Sequence, residues 1–327
     1  MSNKFLKYYA IIGLLLITAG AVILYRLLPD IPTPVVKEDT STEWYAPDIY
    51  SLPSTPEAEL IRYGKKLIEN TARYLGPRGS LAVISNGMNC QNCHLDAGTR
   101  PEGNSFAAVA ATYPKFRERS GRVESIEFRV NECMERSLNG KKLDSISREM
   151  RAMVAYLKWV GKDVAKGNKP KGAGIAELAV LSRAADSSNG RYVFVAKCQS
   201  CHGADGQGVV NNDSSGYIYP PLWGPHSYNI SAGIYRLSRL AGYVKYNMPF
   251  TATTANPQLS DEEAWDVSAY INSQQRPQKF FTYDWPKTET KPFDYPFSPF
   301  ADSFSVRQHK YGPFEIIKKA KAKKAAF

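Results

Sequence analysis

The chain has 327 residues, which is long enough for two domains of about 100 residues each together with extensions. Its formal net charge of +11 indicates an anionic partner or an anionic substrate. Four of its five cysteines lie in two short motifs, which leaves Cys133 as the odd one and excludes a fold held together by several disulfides.

An apolar and almost uncharged segment, Tyr8 to Leu28, follows two lysines near the N-terminus. An Ala-Gly-Ala sequence within it offers a cleavage site, so a removed signal peptide is one interpretation. Cleavage there would leave four apolar residues at the new terminus, which favours an uncleaved anchor that is just long enough to span a bilayer. We predict a membrane anchor over residues 1–28 with a cytoplasmic N-terminus, followed by a proline-rich spacer over residues 29–53.

The first globular unit is predicted over residues 54–160. It begins at Ser54-Thr55-Pro56-Glu57, a capping-box pattern with proline in the first turn of the helix. Gly64, within that helix, would let a second helix cross at close range. The apolar residues of the predicted last helix share one face, and we interpret them as core. They are Met150, Met153, Val154 and Leu157.

Each of two units carries a Cys-x-x-Cys-His motif. The motif residues are Cys90, Cys93 and His94 in the first unit, and Cys198, Cys201 and His202 in the second. Two thiols at this spacing can bond to the two vinyl groups of one porphyrin, and the adjacent histidine then reaches the iron. A zinc half-site or a redox dithiol would suit one such motif, but two copies with the histidine favour two covalently bound haem c groups. Haem attachment places the protein outside the cytoplasm, so small anions or a membrane surface explain the positive charge better than nucleic acid does.

The remaining segments are predicted from their composition. Residues 161–183 form a linker that is rich in lysine and glycine at its start. The second unit, residues 184–277, repeats the plan of the first and ends in a helix that starts with the capping box Ser260 to Glu263. Residues 278–327 are rich in proline and aromatic residues, so we expect them to wrap over one of the domains and to end in a solvated basic tail.

The fold class that follows is mostly α. Neither unit shows a sustained strand pattern, and both have the order of elements of a class-I cytochrome c: a helix, the haem motif, a loop region and a final helix. We therefore predict two class-I cytochrome c-like haem domains in tandem, behind an N-terminal transmembrane helix.

The sixth iron ligand of each haem is sought in the loop before the final helix. In the second unit Met248 lies 46 residues after His202 and 12 before Ser260, where a cytochrome c supplies its distal methionine. The next residue, Pro249, would stiffen that loop. Ligation by histidine and methionine raises the reduction potential and suits electron transfer. The alternative ligands His226 and His309 are interpreted as ordinary surface or loop histidines.

In the first unit the equivalent position falls at Cys133 and Met134, 39 and 40 residues after His94. Met134 would give a second transport haem, whereas a Cys133 thiolate would lower the potential and place a reactive sulfur at the iron. A lone cysteine is often a small buried apolar residue, but this position argues against that interpretation. Arginines crowd the same segment: Arg117, Arg119, Arg122, Arg129 and Arg136. Because guanidinium groups bind oxyanions through two parallel hydrogen bonds, an anion site is favoured over a solvated helix face.

Three segments resemble the family of di-haem thiosulfate dehydrogenases and tetrathionate reductases. They are Asn86 to Thr99 around the first motif, Tyr113 to Arg117, and Arg129 to Gly140 around Cys133. The resemblance covers roughly residues 55–277, and the segment around Cys133 discriminates best between this family and other cytochromes c.

This resemblance implies roles for particular residues. His94 and Cys133 would ligate the iron of a catalytic haem, and His202 and Met248 that of an electron-transfer haem. Arg119, Arg129 and Arg136 would hold the substrate. Some family members have a lysine immediately before the methionine and exchange the two ligands with redox state, but Asn247 occupies that position here.

The resemblance also implies an activity: the interconversion of thiosulfate and tetrathionate, which we expect to run in both directions with substantial tetrathionate reduction. A di-haem electron carrier without a substrate of its own is the alternative, and an enzyme for another sulfur oxyanion such as sulfite is a third hypothesis. The expected location is the periplasm, with the protein anchored in the inner membrane. The expected electron partner is a periplasmic cytochrome c or a membrane protein linked to quinol.

Overall fold

Two pairs of crossing helices, one beside each haem motif, form the framework of the chain. The computed structural model describes residue 13, residues 37–213 and residues 215–325, without the side chains of residues 37–43 and 325. The predicted anchor therefore lies, apart from Gly13, outside the described residues. Among the residues that are described, no helix is long and apolar enough to cross a membrane.

The elements are numbered here in chain order. The helices are α1 (Pro56–Glu69), α2 (Thr71–Leu75), α3 (Leu95–Gly98), α4 (Val109–Thr112), α5 (Ile126–Arg136), α6 (Arg148–Val160), α7 (Ser187–Lys197), α8 (Gln199–His202), α9 (Leu237–Asn247), α10 (Asp261–Ser273), α11 (Val306–Tyr311) and α12 (Glu315–Ala325). The strands are β1 (Lys37–Glu43), β2 (Lys115–Arg117), β3 (Arg122–Glu124), β4 (Asn168–Lys171), β5 (Val209–Val210) and β6 (Tyr217–Tyr219).

In the first unit α1 crosses α6 at Gly64, as the sequence predicted. A Cβ atom on Gly64 would lie 2.0 Å from the carbonyl oxygen of Ala152, so only glycine permits this approach. Met150 and Met153 are completely buried, which confirms their interpretation as core. The cap of α1 differs in detail: Thr55 accepts a hydrogen bond from the amide of Ala58, and no glutamate lies three residues after it to close a box.

The second unit repeats this crossing with α7 and α10. Here a Cβ atom on Gly190 would lie 1.9 Å from the carbonyl oxygen of Asp266. Ser260 and Glu263 form the predicted capping box at the start of α10. Because both units place a glycine at the same helix crossing, the prediction of two similar helical domains in tandem is supported by their packing.

Short strands, which the sequence analysis did not predict, connect the helical parts. The predicted spacer contains β1, which pairs in parallel with β4 of the predicted linker. β2 and β3 form a hairpin in which Lys115 lies opposite Glu124, and β5 pairs with β6. The strands β2 to β6 were missed because each has four residues or fewer. The longer β1 was missed because it pairs with β4, a segment far away in sequence.

The segment that follows α10 contacts both units, whereas we expected it to cover one of them. We name residues 278–300 the C-terminal arm. Lys279 in this arm donates to the carbonyl oxygen of Gly140, 3.0 Å away, and accepts a hydrogen bond from the Ser231 hydroxyl at 2.6 Å. The terminal lysines lie on α12, which buries Ile317 while most of its lysines remain exposed.

Candidate haem sites and an anion cavity

The first haem motif presents its histidine in a fixed orientation. The Nδ1 atom of His94 lies 2.6 Å from the carbonyl oxygen of Asn104 and must donate to it. The Nε2 atom, which the Asn104 side-chain amide approaches at 3.4 Å, is then the nitrogen that could bind a metal. Burial lowers the pKa of His94 to about 4, so the ring is neutral, as a ligand to iron must be. The Thr71 hydroxyl holds the Cys90 sulfur at 3.2 Å.

A cavity of about 420 Å³ lies beside this motif and is lined by Cys90, Cys93 and His94. Cys133 and Met134 of α5 line the same cavity, so the structure brings both candidates for the sixth ligand to it. Burial raises the pKa of Cys93 to about 12, and the charge of an ionised Cys133 adds to this shift. Cys133 is thus within electrostatic range of the motif, and its role as the ligand stays a prediction.

Arg129 is the predicted substrate residue that the structure places most clearly at this site. It lines the cavity, and its side chain is 34% exposed. The charge of an ionised Cys133 is the main cause that raises the pKa of Arg129. The two side chains therefore form a cation and a potential anion close together, with Glu132 3.5 Å from the guanidinium group.

Arg119 and Arg136 have different surroundings, since both bind Asp284 of the C-terminal arm. Arg119 lines the cavity, but its Nη2 atom lies 2.8 Å from Asp284 and 2.6 Å from the carbonyl oxygen of Ser231. The Arg136 side chain is 2% exposed, does not line the cavity, and binds Asp284 and Glu132 at 2.8 and 3.0 Å. Their roles as substrate ligands remain predictions, and the contacts seen are with carboxylates of the protein itself.

Sequence analysis missed several cations that line the cavity. Arg236 and Arg239 come from the second unit, and Lys169 comes from the linker. Arg239 pairs with the exposed Glu177 at a distance of 3.9 Å. Burial lowers the pKa of Arg239, and the positive charges of Arg236 and Arg117 add to that shift. Arg117, which the sequence placed in the arginine run, therefore lies near cations that come from a different domain.

The second haem motif has the same fixed histidine but apolar surroundings. The Nδ1 atom of His202 lies 2.8 Å from the carbonyl oxygen of Pro220. Met248 and Cys198 both contact one apolar cluster, so the predicted ligand and one attachment cysteine share a core. The buried members of this cluster are Leu95, Phe194, Trp223, Leu240, Tyr243, Val244, Leu259, Ala264, Val267 and Ile271.

The alternative ligands of the second haem are less suitable. His309, interpreted from the sequence as an ordinary surface or loop histidine, is buried in α11. Its Nδ1 and Nε2 atoms lie 2.8 Å from the carbonyl oxygen of Phe293 and 2.9 Å from Asp302, so neither is free for iron. His226 is exposed at the surface.

Both motifs therefore fit a covalently bound haem. Each supplies two thiols and a histidine whose Nδ1 atom is already used, and the first also faces a cavity with a second sulfur ligand available. The residues that would hold the first haem are Cys90, Cys93, His94 and Cys133. Those that would hold the second are Cys198, Cys201, His202 and Met248.

The two sites are in direct contact through the first motif. The Tyr243 hydroxyl of α9 donates to the carbonyl oxygen of Asn92, which lies between the two motif cysteines, at 2.9 Å. Leu95, immediately after His94, is buried in the apolar cluster of the second unit. The Asn247 amide donates to the carbonyl oxygen of Glu102 at 3.1 Å. The first haem motif is thus packed against the domain that carries the second.

Comparison with known proteins identifies the two parts of the chain separately. Residues 82–165 match the SoxA/TsdA cytochrome c domain family, and residues 187–275 match the cytochrome c family. The prediction of two cytochrome c domains in tandem, and hence of two haem c groups, is thereby confirmed.

Relatives that match across both domains are thiosulfate dehydrogenases. The protein from Allochromatium vinosum is 36% identical over 230 residues, which cover 69% of this chain and 82% of the relative. The protein from Psychrobacter arcticus is 35% identical over 241 residues, which cover 73% of this chain and 71% of the relative.

A solved structure matches as well. It is thiosulfate dehydrogenase (TsdBA) from Marichromatium purpuratum in the as-isolated form, with a TM-score of 0.67 and 30% identity over 76% of this chain. This chain spans about half of that longer one, 51% of its length. The resemblance drawn from the sequence is confirmed, and the chain belongs to the thiosulfate dehydrogenase family of c-type cytochrome enzymes.

Proposed function

We propose that this protein oxidises two thiosulfate ions to one tetrathionate ion in the cavity beside Cys133, and that it also catalyses the reverse reaction. One sulfur–sulfur bond forms between the terminal sulfurs of the two ions, two electrons leave, and no proton is exchanged. The observation that carries the proposal is that one cavity brings together the first haem motif, Cys133 and Arg129. The names of the relatives support thiosulfate as the substrate.

The cations of the cavity serve to bring two dianions together. Thiosulfate ions repel each other, and fixed guanidinium groups offset that repulsion without having to reorganise during the reaction. Arg129 lies beside Cys133, while Arg117 and Arg239 lie near each other elsewhere on the wall. Arg129 holds the ion that approaches the Cys133 sulfur, and Arg117 and Arg239 hold the other.

The haem groups, when bound, supply two one-electron acceptors, so the pair can take both electrons of one turnover. His94 and Cys133 would ligate the first iron, and His202 and Met248 would ligate the second. The contacts of Tyr243 and Leu95 hold the first motif against the second domain, which keeps the two redox sites at a fixed separation.

The proposal of reversibility comes from the residues around Met248. Asn247 is buried and donates to the carbonyl oxygens of Glu102 and Tyr243, so it offers no side-chain nitrogen to iron. Lys245, two residues earlier, donates to the Leu259 carbonyl and pairs with Asp261, both at 2.7 Å. A ligand set that stays fixed does not bias electrons outward after reduction, so tetrathionate reduction is substantial.

The protein is proposed to work in the periplasm, held at the inner membrane by residues 1–28. Covalent haem attachment and the apolar N-terminal sequence support this location. Its electron partner is proposed to be a periplasmic cytochrome c or a membrane protein linked to quinol.

Steady-state assays of the purified protein test the activity. Thiosulfate with ferricyanide measures oxidation, and tetrathionate with a reduced low-potential dye measures reduction. Turnover in both assays is expected. Turnover in neither would leave a di-haem electron carrier, and turnover with sulfite alone would change the substrate.

Protein-film voltammetry with both substrates present tests the direction. We expect one catalytic wave on each side of the equilibrium potential. A wave that is purely oxidative would contradict the reversibility, although it would leave thiosulfate oxidation intact.

A further inference from the structure

The C-terminal arm supplies one carboxylate that binds two arginines of the first domain. Asp284 accepts from Nε and Nη2 of Arg119 at 3.0 and 2.8 Å, and from Nη1 and Nη2 of Arg136 at 2.8 Å each. The Asp284 side chain is 5% exposed. Four charge-assisted hydrogen bonds in a buried position fix both guanidinium groups and cancel part of their charge. Two segments of the chain match known families, and the second of them ends at residue 275. The C-terminal arm lies beyond both.

The next residue of the arm, Trp285, forms part of the cavity wall. Its backbone has a φ of +59°, which a non-glycine residue adopts only where its surroundings hold it there. The Trp285 amide donates to the carbonyl oxygen of Arg119 at 2.6 Å, so Arg119 is bound through both its side chain and its backbone.

Pro286 packs against the hairpin that carries Arg117 and Arg119. A Cβ atom on Gly121, which has a φ of +65°, would lie only 2.6 Å from the Cγ atom of Pro286. Three consecutive arm residues thus meet the β2–β3 hairpin and α5. Because the contacts are continuous, this part of the arm is an ordered part of the first domain's surface and not a loosely attached tail.

A second, smaller cavity of about 20 Å³ borders the same two side chains, Arg119 and Trp285. It is also lined by Tyr295 of the arm and by Arg236. Trp285 therefore borders both cavities. We expect a shorter side chain at this position to join them.

We propose that the C-terminal arm determines which anions the cavity accepts: Asp284, which binds both Arg119 and the buried Arg136, withholds Arg119 from the substrate, and Trp285 closes the wall beside it. Asp284 is a positioning residue, since it acts through the two arginines. Without it Arg119, which already lines the cavity, would keep its hydrogen bond to the Ser231 carbonyl but would present an uncompensated positive charge to any anion there. This proposal rests on the anion cavity of the proposed function, and it names what limits the charge and width of that cavity.

Trp285→Ala and Trp285→Phe test the wall. We expect Trp285→Ala to join the cavities and to admit S-sulfocysteine, an organic thiosulfate, as a competing ligand. The preference for thiosulfate over S-sulfocysteine should fall about tenfold, as for other changes of pocket shape. Trp285→Phe keeps an aromatic wall and should preserve most of that preference.

Asp284→Asn tests the charge. It keeps the shape of the side chain but removes the negative charge that opposes two guanidinium groups. We expect the dissociation constant for sulfate, a non-reacting anion, to fall by about threefold to tenfold in the holoprotein, because one more uncompensated positive charge borders the cavity. The KM for thiosulfate should fall with it. The constant is measured from the change in the haem absorption spectrum as sulfate is added at fixed ionic strength.

Asp266→Asn is the matched control. Asp266 is also 5% exposed and binds both Nη atoms of Arg183, at 2.8 and 2.9 Å, but neither side chain lines the cavity. Both aspartate variants should lose thermal stability, whereas only Asp284→Asn should change the dissociation constant for sulfate. The dissociation constant for sulfate does not depend on how much of either variant is folded, so a loss of stability alone would not change it.

The proposal would be overturned if Asp284→Asn left the dissociation constant for sulfate unchanged and Trp285→Ala left the preference for thiosulfate over S-sulfocysteine unchanged. The arm would then have a structural role only. If Asp284→Asn does not fold, the two Trp285 variants decide. If the parent protein binds sulfate but turns over no thiosulfate, the proposed function fails, while competition between sulfate and S-sulfocysteine still tests the arm.

Discussion

The two haem domains use the same scaffold and differ in what surrounds the haem motif. In both, a glycine lets the first and last helices cross, and a backbone carbonyl fixes the Nδ1 atom of the motif histidine. In the first, a cavity with Cys133 and several cations lies beside the motif. In the second, Met248 and Cys198 contact a cluster of large apolar side chains. The scaffold therefore suits haem attachment in both domains, and we expect the surroundings of each motif to decide between catalysis and electron transfer.

Removing the Cys133 thiol from the first domain should have the largest effect on turnover. We expect Cys133→Gly to lower thiosulfate turnover by about a hundredfold or more, as for loss of a group at the reacting centre. Electron paramagnetic resonance should lose the low-spin signal of histidine and thiolate ligation. If that signal survives and Met134→Ala removes it instead, Met134 is the ligand and the contrast between the domains disappears.

A substitution of Arg129 tests whether the cations of the cavity give the first site its affinity for thiosulfate, which the second site is not expected to have. Arg129→Gln should raise the KM for thiosulfate about tenfold, because a charge-assisted contact contributes roughly 1.5–3 kcal/mol. Arg100→Gln is the control, since Arg100 pairs with Asp96 near the surface and does not line the cavity. Steady-state kinetics at two ionic strengths would show the effect, and an equal KM for both variants would contradict it.

The ligand of the second haem should matter less for substrate binding. Met248→Gly is expected to lower the reduction potential of the second haem and to slow turnover several-fold, with an unchanged KM for thiosulfate. Potentiometric titration monitored by absorption spectroscopy measures the first effect. A large increase in KM would mean that the second domain also contributes to the substrate site through its ligand loop.

The smallest functional effect is expected where the domains are alike. Gly64→Ala and Gly190→Ala each force a Cβ atom to about 2 Å from a backbone oxygen, which should cost roughly 1–3 kcal/mol of stability. Thermal unfolding should show similar losses for the two, with the KM unchanged. Gly233→Ala, where a Cβ atom meets nothing within 4 Å, should leave the unfolding temperature unchanged.

The features that the sequence revealed are those encoded locally. The haem motifs and the capping box at Ser260 each depend on residues a few positions apart, and both were found. The crossing at Gly64 was predicted from a glycine within a helical pattern, although the helix that it meets lies far along the chain, at Ala152. Cys133 was singled out by its distance from the first motif and from the next helix. Such spacing predicts position along a domain, and Cys133 does line the cavity.

The features that sequence analysis missed depend on contacts across the chain. Asp284 lies 148 and 165 residues from the two arginines that it binds, and Arg239 reaches the first cavity from the second domain. No periodicity or motif links residues so far apart. The arginine run was visible, but the sequence could not show which of its members are already bound by a carboxylate of the protein.

Among the segments that line the cavity, the C-terminal arm is the last to be synthesised. Until residues 284 and 285 arrive, Arg119 and Arg136 have no carboxylate from the arm, and the cavity lacks the wall at Trp285. The nascent chain therefore contains the complete first haem motif before this side of the cavity can close.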